Sequence, residues 1–116
     1  DLQKQQKKIR LQIDEAIKKV LDHGTYIMGP EVAELEKDLS SFCGVKHSIT
    51  CSDGTDALAL GLMAFGVGPG DAVFVPSFTF ASTAEVVALV GATPIFIDVL
   101  PETYNINVES LNKVGF

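Results

Sequence analysis

Three short stretches hold residues whose types and spacing could do chemistry. The first is Ser52-Asp53-Gly54-Thr55-Asp56, which follows a short strand candidate over 47–51 and leads into an Ala- and Leu-rich segment. Glycine at position 54 lets the main chain come close to a bound group. A helix beginning there would offer unpaired N–H groups and the positive end of its dipole. With the Thr55 hydroxyl added, this is a seat for a phosphate. The same residues also make an ordinary turn and helix cap. The carboxylate of Asp53 would repel an anion unless it points away. The second stretch is Pro76-Ser77-Phe78-Thr79-Phe80. A ring here could cover a flat heterocycle, although buried core is the commoner fate of two phenylalanines. The third is Asp98, either a ligand contact or the cap of a turn.

The surrounding pattern indicates how these stretches are positioned. Ile9, Ile13, Ile17, Val20 and Leu21 recur at spacings of three and four, which predicts an amphipathic helix closed by Gly24. Residues 25–29 form a loop carrying Tyr26, Ile27 and Met28. Pro30 suits the first position of a second helix, which ends at Gly44. Its apolar stripe is Val32, Leu35, Leu39 and Phe42. Further on, 47–51 reads as a strand, 55–65 as a helix and 66–71 as a Gly- and Pro-rich turn. Then come a strand over 72–75, a helix over 80–90 and a strand over 93–99. Asn107 could cap a last helix from Val108. The expected fold is therefore α/β, with two leading helices and then a βαβαβ, mainly parallel sheet. In such sheets ligands sit beyond the carboxyl ends of the strands, where all three stretches lie.

Composition narrows the function classes. Hydrophobic residues make up 47% and charged residues 21%, with a formal net charge of −6. No basic stripe suggests nucleic-acid binding. The basic run from Lys4 to Arg10 reads as a solvated helix face. No apolar run is long enough to span a bilayer, and no signal-peptide core opens the chain. A soluble cytoplasmic protein is expected. Cys43 and Cys51 form neither a disulfide framework nor a metal pattern, and are expected as small buried side chains. His23 and His47 lack partners at metal spacing and read as surface or cap histidines. Gly66, Gly68 and Gly70 follow a helix rather than a strand, the wrong order for a dinucleotide loop. The start at Asp1 and the stop at Phe116 suggest a segment that is incomplete or cut.

Taken in order, several pieces resemble one family. They are Asp1-Leu2 with its Gln/Lys-rich helix, Gly24-Thr25-Tyr26-Ile27-Met28-Gly29-Pro30-Glu31-Val32 and Cys51-Ser52-Asp53-Gly54-Thr55-Asp56-Ala57-Leu58. Gly68-Pro69-Gly70-Asp71, Pro76-Ser77-Phe78-Thr79-Phe80 and Gly91-Ala92-Thr93-Pro94 follow. The set is similar to the DegT/StrS family of nucleotide-sugar aminotransferases, which are fold type I enzymes dependent on pyridoxal 5'-phosphate. The resemblance covers nearly the whole chain. It implies that Gly54 and Thr55 hold the cofactor phosphate, with Ser52 and Asp53 in the same loop. It implies that Phe80 stacks on the pyridine ring and that Tyr26 lies near the sugar.

The family's Schiff-base lysine, and the aspartate paired with the pyridine nitrogen, fall beyond residue 116 in the family order. Neither Lys46 nor Lys113 matches, so no catalytic residue is assigned within this chain. The enzyme would be a longer parent, with residues 1–44 as leading helices and 45–116 as the start of the cofactor-binding large domain. The resemblance further implies a homodimer, a nucleotide-linked keto-sugar as substrate and an amino-acid donor such as glutamate. It places the product in polysaccharide or glycoside biosynthesis. Two alternatives remain. One is a non-catalytic remnant or regulatory relative that binds a phosphorylated ligand or partner. The other is a sugar dehydratase in which histidine replaces the lysine.

Overall fold

Local capping decides most of the element boundaries. The computed structural model of the chain describes residues 1–114; Gly115 and Phe116, where the sequence suggests a cut, lie outside the described residues. Contacts divide the chain into two units, Asp1–Thr50 and Cys51–Phe116.

The first unit is helical. α1 (Leu2–His23) starts at Asp1, whose Oδ1 accepts the N–H of Gln3 at 3.0 Å and of Lys4 at 3.4 Å. It ends at Gly24 (φ 70°), whose N–H donates to the Val20 carbonyl at 2.9 Å. α2 (Pro30–Cys43) has Pro30 in its first turn and Gly44 (φ 66°) at its end, as expected. The expected stripe of α2 is not its covered face. Val32, Glu36 and Ser40 are half-buried, while Phe42 is 89% exposed. The cause is a polar anchor: Glu36 Oε1 accepts both the N–H and the hydroxyl of Thr50, each at 2.9 Å.

That anchor also bears on the first expected strand, which is not formed. Residues 47–51 have no ladder partner among the described residues, and the Thr50 N–H is held by a side chain. A strand exists through its neighbour, and no other described segment supplies one. The expected burial of both cysteines is corrected as well, because Cys43 and Cys51 are exposed. Cys43 lies off the half-buried face of α2, and the Cys51 thiol donates to the Asp53 carbonyl at 3.2 Å.

The second unit holds α3 (Gly54–Ala64), β1 (Ala72–Pro76), α4 (Ser82–Leu89), β2 (Thr93–Ile97) and α5 (Val108–Leu111). β1 and β2 pair in parallel, from Ala72 opposite Thr93 to Pro76 opposite Ile97. α4 connects them and packs on both, and α3 packs on α4. Val75, Val87 and Ala92 form the core, with Leu62, Val67, Val73, Ala84 and Val90 against it. The α/β class with a parallel sheet stands, as two strands rather than three. Pro94 lacks an N–H, which suits a strand with one unpaired side.

Two turns frame the sheet. In the first, Gly68 donates its N–H to Asp71 Oδ2 at 2.9 Å and accepts the Asp71 N–H at 3.1 Å. The second follows β2, which stops at Ile97 instead of continuing to Val99. There Val99 bridges Ile106 in antiparallel fashion, and Tyr104 takes φ 58°. Asn107 caps α5 as expected, its Oδ1 accepting from Glu109 N–H at 2.9 Å. Lys113, expected within this last helix, lies past its end.

Candidate functional site

The turn into α3 is held by its own carboxylates. Asp53 has extended backbone (φ −161°), and its Oδ1 accepts the N–H of Asp56 at 3.0 Å. Its carbonyl accepts the N–H of Ala57 at 3.1 Å. The Ser52 hydroxyl donates to the Asp56 carboxylate. Ser52 and Asp53 therefore already have internal partners. Among the described residues no hydrogen bond reaches the N–H of Gly54, the N–H of Thr55 or the Thr55 hydroxyl. These three donors share the positive end of an 11-residue helix. A Cβ added at Gly54 would meet nothing within 4 Å, so the chain's own packing does not require glycine there. The donor set fits a phosphate ester, which needs several N–H or O–H groups converging on one anion. Asp53 and Asp56 oppose it, but each carboxylate is already held by a donor.

The aromatic stretch is not core. Phe78 is 67% and Phe80 77% exposed within this chain, so neither ring joins its core. Phe80 stands between β1 and α4, and its carbonyl accepts the Thr83 N–H at 3.0 Å. The Thr79 and Thr83 hydroxyls bond at 2.9 Å across the same turn. Phe78 packs on Tyr104, with ring centroids 5.2 Å apart and planes tilted by 34°. A cleft of about 500 Å³ lies past the carboxyl ends of both strands, lined by Ser77, Phe78, Asp98, Val99, Pro101 and Tyr104. Asp98 Oδ1 accepts the N–H of its neighbour Val99 at 2.8 Å. Its carbonyl accepts the Asn107 N–H at 2.8 Å. Sequence reasoning missed Tyr104, although Pro101 and Asn105 around it are turn formers.

Tyr26 lies in the first unit, in the loop between α1 and α2, and is 68% exposed. Glu31, at the start of α2, is held below the usual carboxylate range chiefly by its own main-chain N–H, with His23 and Lys19 adding to it. Glu36 is lowered by the two Thr50 donors. Among the described residues no cluster of His, Cys, Asp and Glu could hold a metal, and no helix is long and apolar enough to cross a membrane.

A parallel strand pair joined by a helix, with free donors at one helix start and an exposed ring past a strand end, places the unit in the α/β class. More narrowly, the chain belongs to the DegT/DnrJ/EryC1/StrS aminotransferase family, whose model matches residues 7–114. A UDP-2-acetamido-2-deoxy-3-oxo-D-glucuronate aminotransferase of Pseudomonas aeruginosa is 53% identical over 111 residues, which is 96% of this chain and 31% of the relative. A family aminotransferase from Brucella abortus superposes with a TM-score of 0.92 at 60% identity, covering 97% of this chain and 30% of that one. A sugar aminotransferase of Streptococcus pneumoniae in its PLP form gives 0.77 at 32% identity, covering 85% and 26%. The chain thus spans about a third or less of the length of these relatives.

Proposed function

We propose that this chain is the N-terminal part of a cytoplasmic, dimeric aminotransferase that uses pyridoxal 5'-phosphate and acts on a nucleotide-linked keto-sugar. The observation that carries this is the set of three unpartnered donors at the start of α3. The Gly54 and Thr55 N–H groups and the Thr55 hydroxyl bind the phosphate, and Phe80 covers one face of the pyridine ring. Ser52 and Asp53 shape the turn rather than touch the ligand. Tyr26 faces the sugar. Residues 45–116 open the cofactor-binding large domain, and 1–44 precede it. When bound, the cofactor supplies an electron sink for removing a proton next to the transferred amino group. The groups that move that proton belong to the longer enzyme. Relatives acting on UDP- and dTDP-linked sugars support the substrate class. Glutamate is the proposed donor.

The test uses the whole enzyme. Thr55→Val removes one hydrogen bond to a charged phosphate, so the Kd for pyridoxal 5'-phosphate should rise about tenfold or more. Glutamate should be consumed beyond one equivalent per cofactor only when a nucleotide-linked keto-sugar is present. An unchanged Kd in the Thr55→Val variant would remove the phosphate seat from this loop. Turnover with a free keto-sugar would refute the substrate class.

A further inference from the structure

His23 closes α1, and the structure gives both of its ring nitrogens a partner. Nδ1 accepts the N–H of Thr25 at 3.0 Å. Nε2 lies 3.1 and 3.2 Å from the two carboxylate oxygens of Glu31. Thr25 stands at the start of the loop over residues 24–29, and Glu31 is the second residue of α2, just past its end. Only a bare nitrogen can accept an N–H, so Nδ1 carries no proton. A carboxylate needs a donor, so Nε2 carries one. The ring is fixed as the neutral Nε2–H tautomer.

The loop so bracketed is under constraint. Met28 takes φ 50°, in the left-handed region. At Gly29 a Cβ would stand 2.6 Å from the Thr25 carbonyl oxygen, so the two ends of the loop are in contact. Between them Tyr26, Ile27 and Met28 are 68%, 86% and 73% exposed. Three successive large apolar side chains displayed from a constrained backbone mark a presenting surface rather than a loose connection.

We infer that His23 is a positioning residue whose neutral Nε2–H tautomer ties Thr25 to Glu31 and thereby fixes how the loop presents Tyr26, Ile27 and Met28. The consequence for catalysis rests on Tyr26 facing the sugar; the brace itself does not. Lys19 Nζ is 3.7 Å from Glu31 Oε1 and 4.0 Å from Glu34 Oε2.

Long-range proton–nitrogen NMR correlations on the full chain read the tautomer without any variant. The expected result is Nε2–H at neutral pH. His23→Ala should speed exchange of the Thr25 amide about tenfold. His23→Asn, which keeps an acceptor near the Nδ1 position, should restore much of that protection. An Nδ1–H tautomer at neutral pH, or an unchanged Thr25 exchange rate in His23→Ala, would overturn the inference. None of these readouts involves cofactor or sugar, so they stand apart from the aminotransferase reading. In the whole enzyme, His23→Ala should raise KM for the sugar with little change in kcat. An unchanged KM alongside a confirmed brace would remove Tyr26 from the substrate contact and leave the brace in place.

Discussion

Gly29 and Gly91 are glycine for different reasons, and each can be tested singly. Gly29 has ordinary backbone angles (φ −69°), but a side chain there would meet the Thr25 carbonyl at 2.6 Å. The obstacle is main chain, which does not swing aside. Gly29→Ala should destabilise the first unit by about 1–3 kcal/mol, read as a lower urea midpoint. Gly91 has φ 83°, and its Cβ would lie 3.0 Å from Pro69 Cγ. Gly91→Ala should cost about 1–2 kcal/mol from the left-handed backbone alone. An unchanged melting temperature would contradict a left-handed backbone cost at this position. The glycines at helix ends could be read from sequence because the signal is local. The contact of Gly29 with Thr25 could not, because it depends on how the loop folds back. The same limit applies at the candidate site. A helix start at Gly54 and Thr55 was readable, but the bonds engaging Ser52 and Asp53 needed coordinates.

At the scale of elements, the boundaries that sequence placed well are those set by one or two adjacent residues. Pro30 opens α2, Gly24 and Gly44 close helices, and Asn107 caps α5. The strand expected over 47–51 failed because pairing is not a local property. Ile49 and Thr50 are β-branched and suit a strand, but the Thr50 N–H is held by Glu36 instead of a neighbouring strand. This bond makes a pH prediction. The Thr50 donors hold the Glu36 carboxyl below its ordinary range. The stabilisation is therefore fully present above that range and is lost as pH falls through the lowered value of the folded state. Acidification should free the segment around Thr50, seen as faster exchange of its amide. Glu36→Gln should abolish that pH dependence.

For the whole molecule, the dominant fact is uncovered apolar surface. Phe42 and Phe65 are each 89% exposed, Leu89 75% and Phe96 60%. The chain covers about a third or less of the length of the relatives it matches. Apolar surface on this scale drives association. Size-exclusion chromatography of the isolated chain should show elution that moves earlier as concentration rises. A compact monomer at all concentrations would show that these side chains find cover within the chain. The class of fold was readable from alternating strands and helices. The extent of the exposed surface was not, since an apolar stripe in sequence does not say whether its partner is present. Both rings of the stretch before α4 illustrate this, because their type suggested core and their place exposed them.

The most direct measurement is an NMR titration of the chain with 4'-deoxypyridoxine 5'-phosphate, a cofactor analogue that cannot react with lysine. The predicted result is selective movement of the Gly54 and Thr55 amide signals, contact between the Phe80 ring and the pyridine ring, and no response to the same compound without its phosphate. Equal responses to both compounds, or shifts confined to residues away from the start of α3, would contradict it.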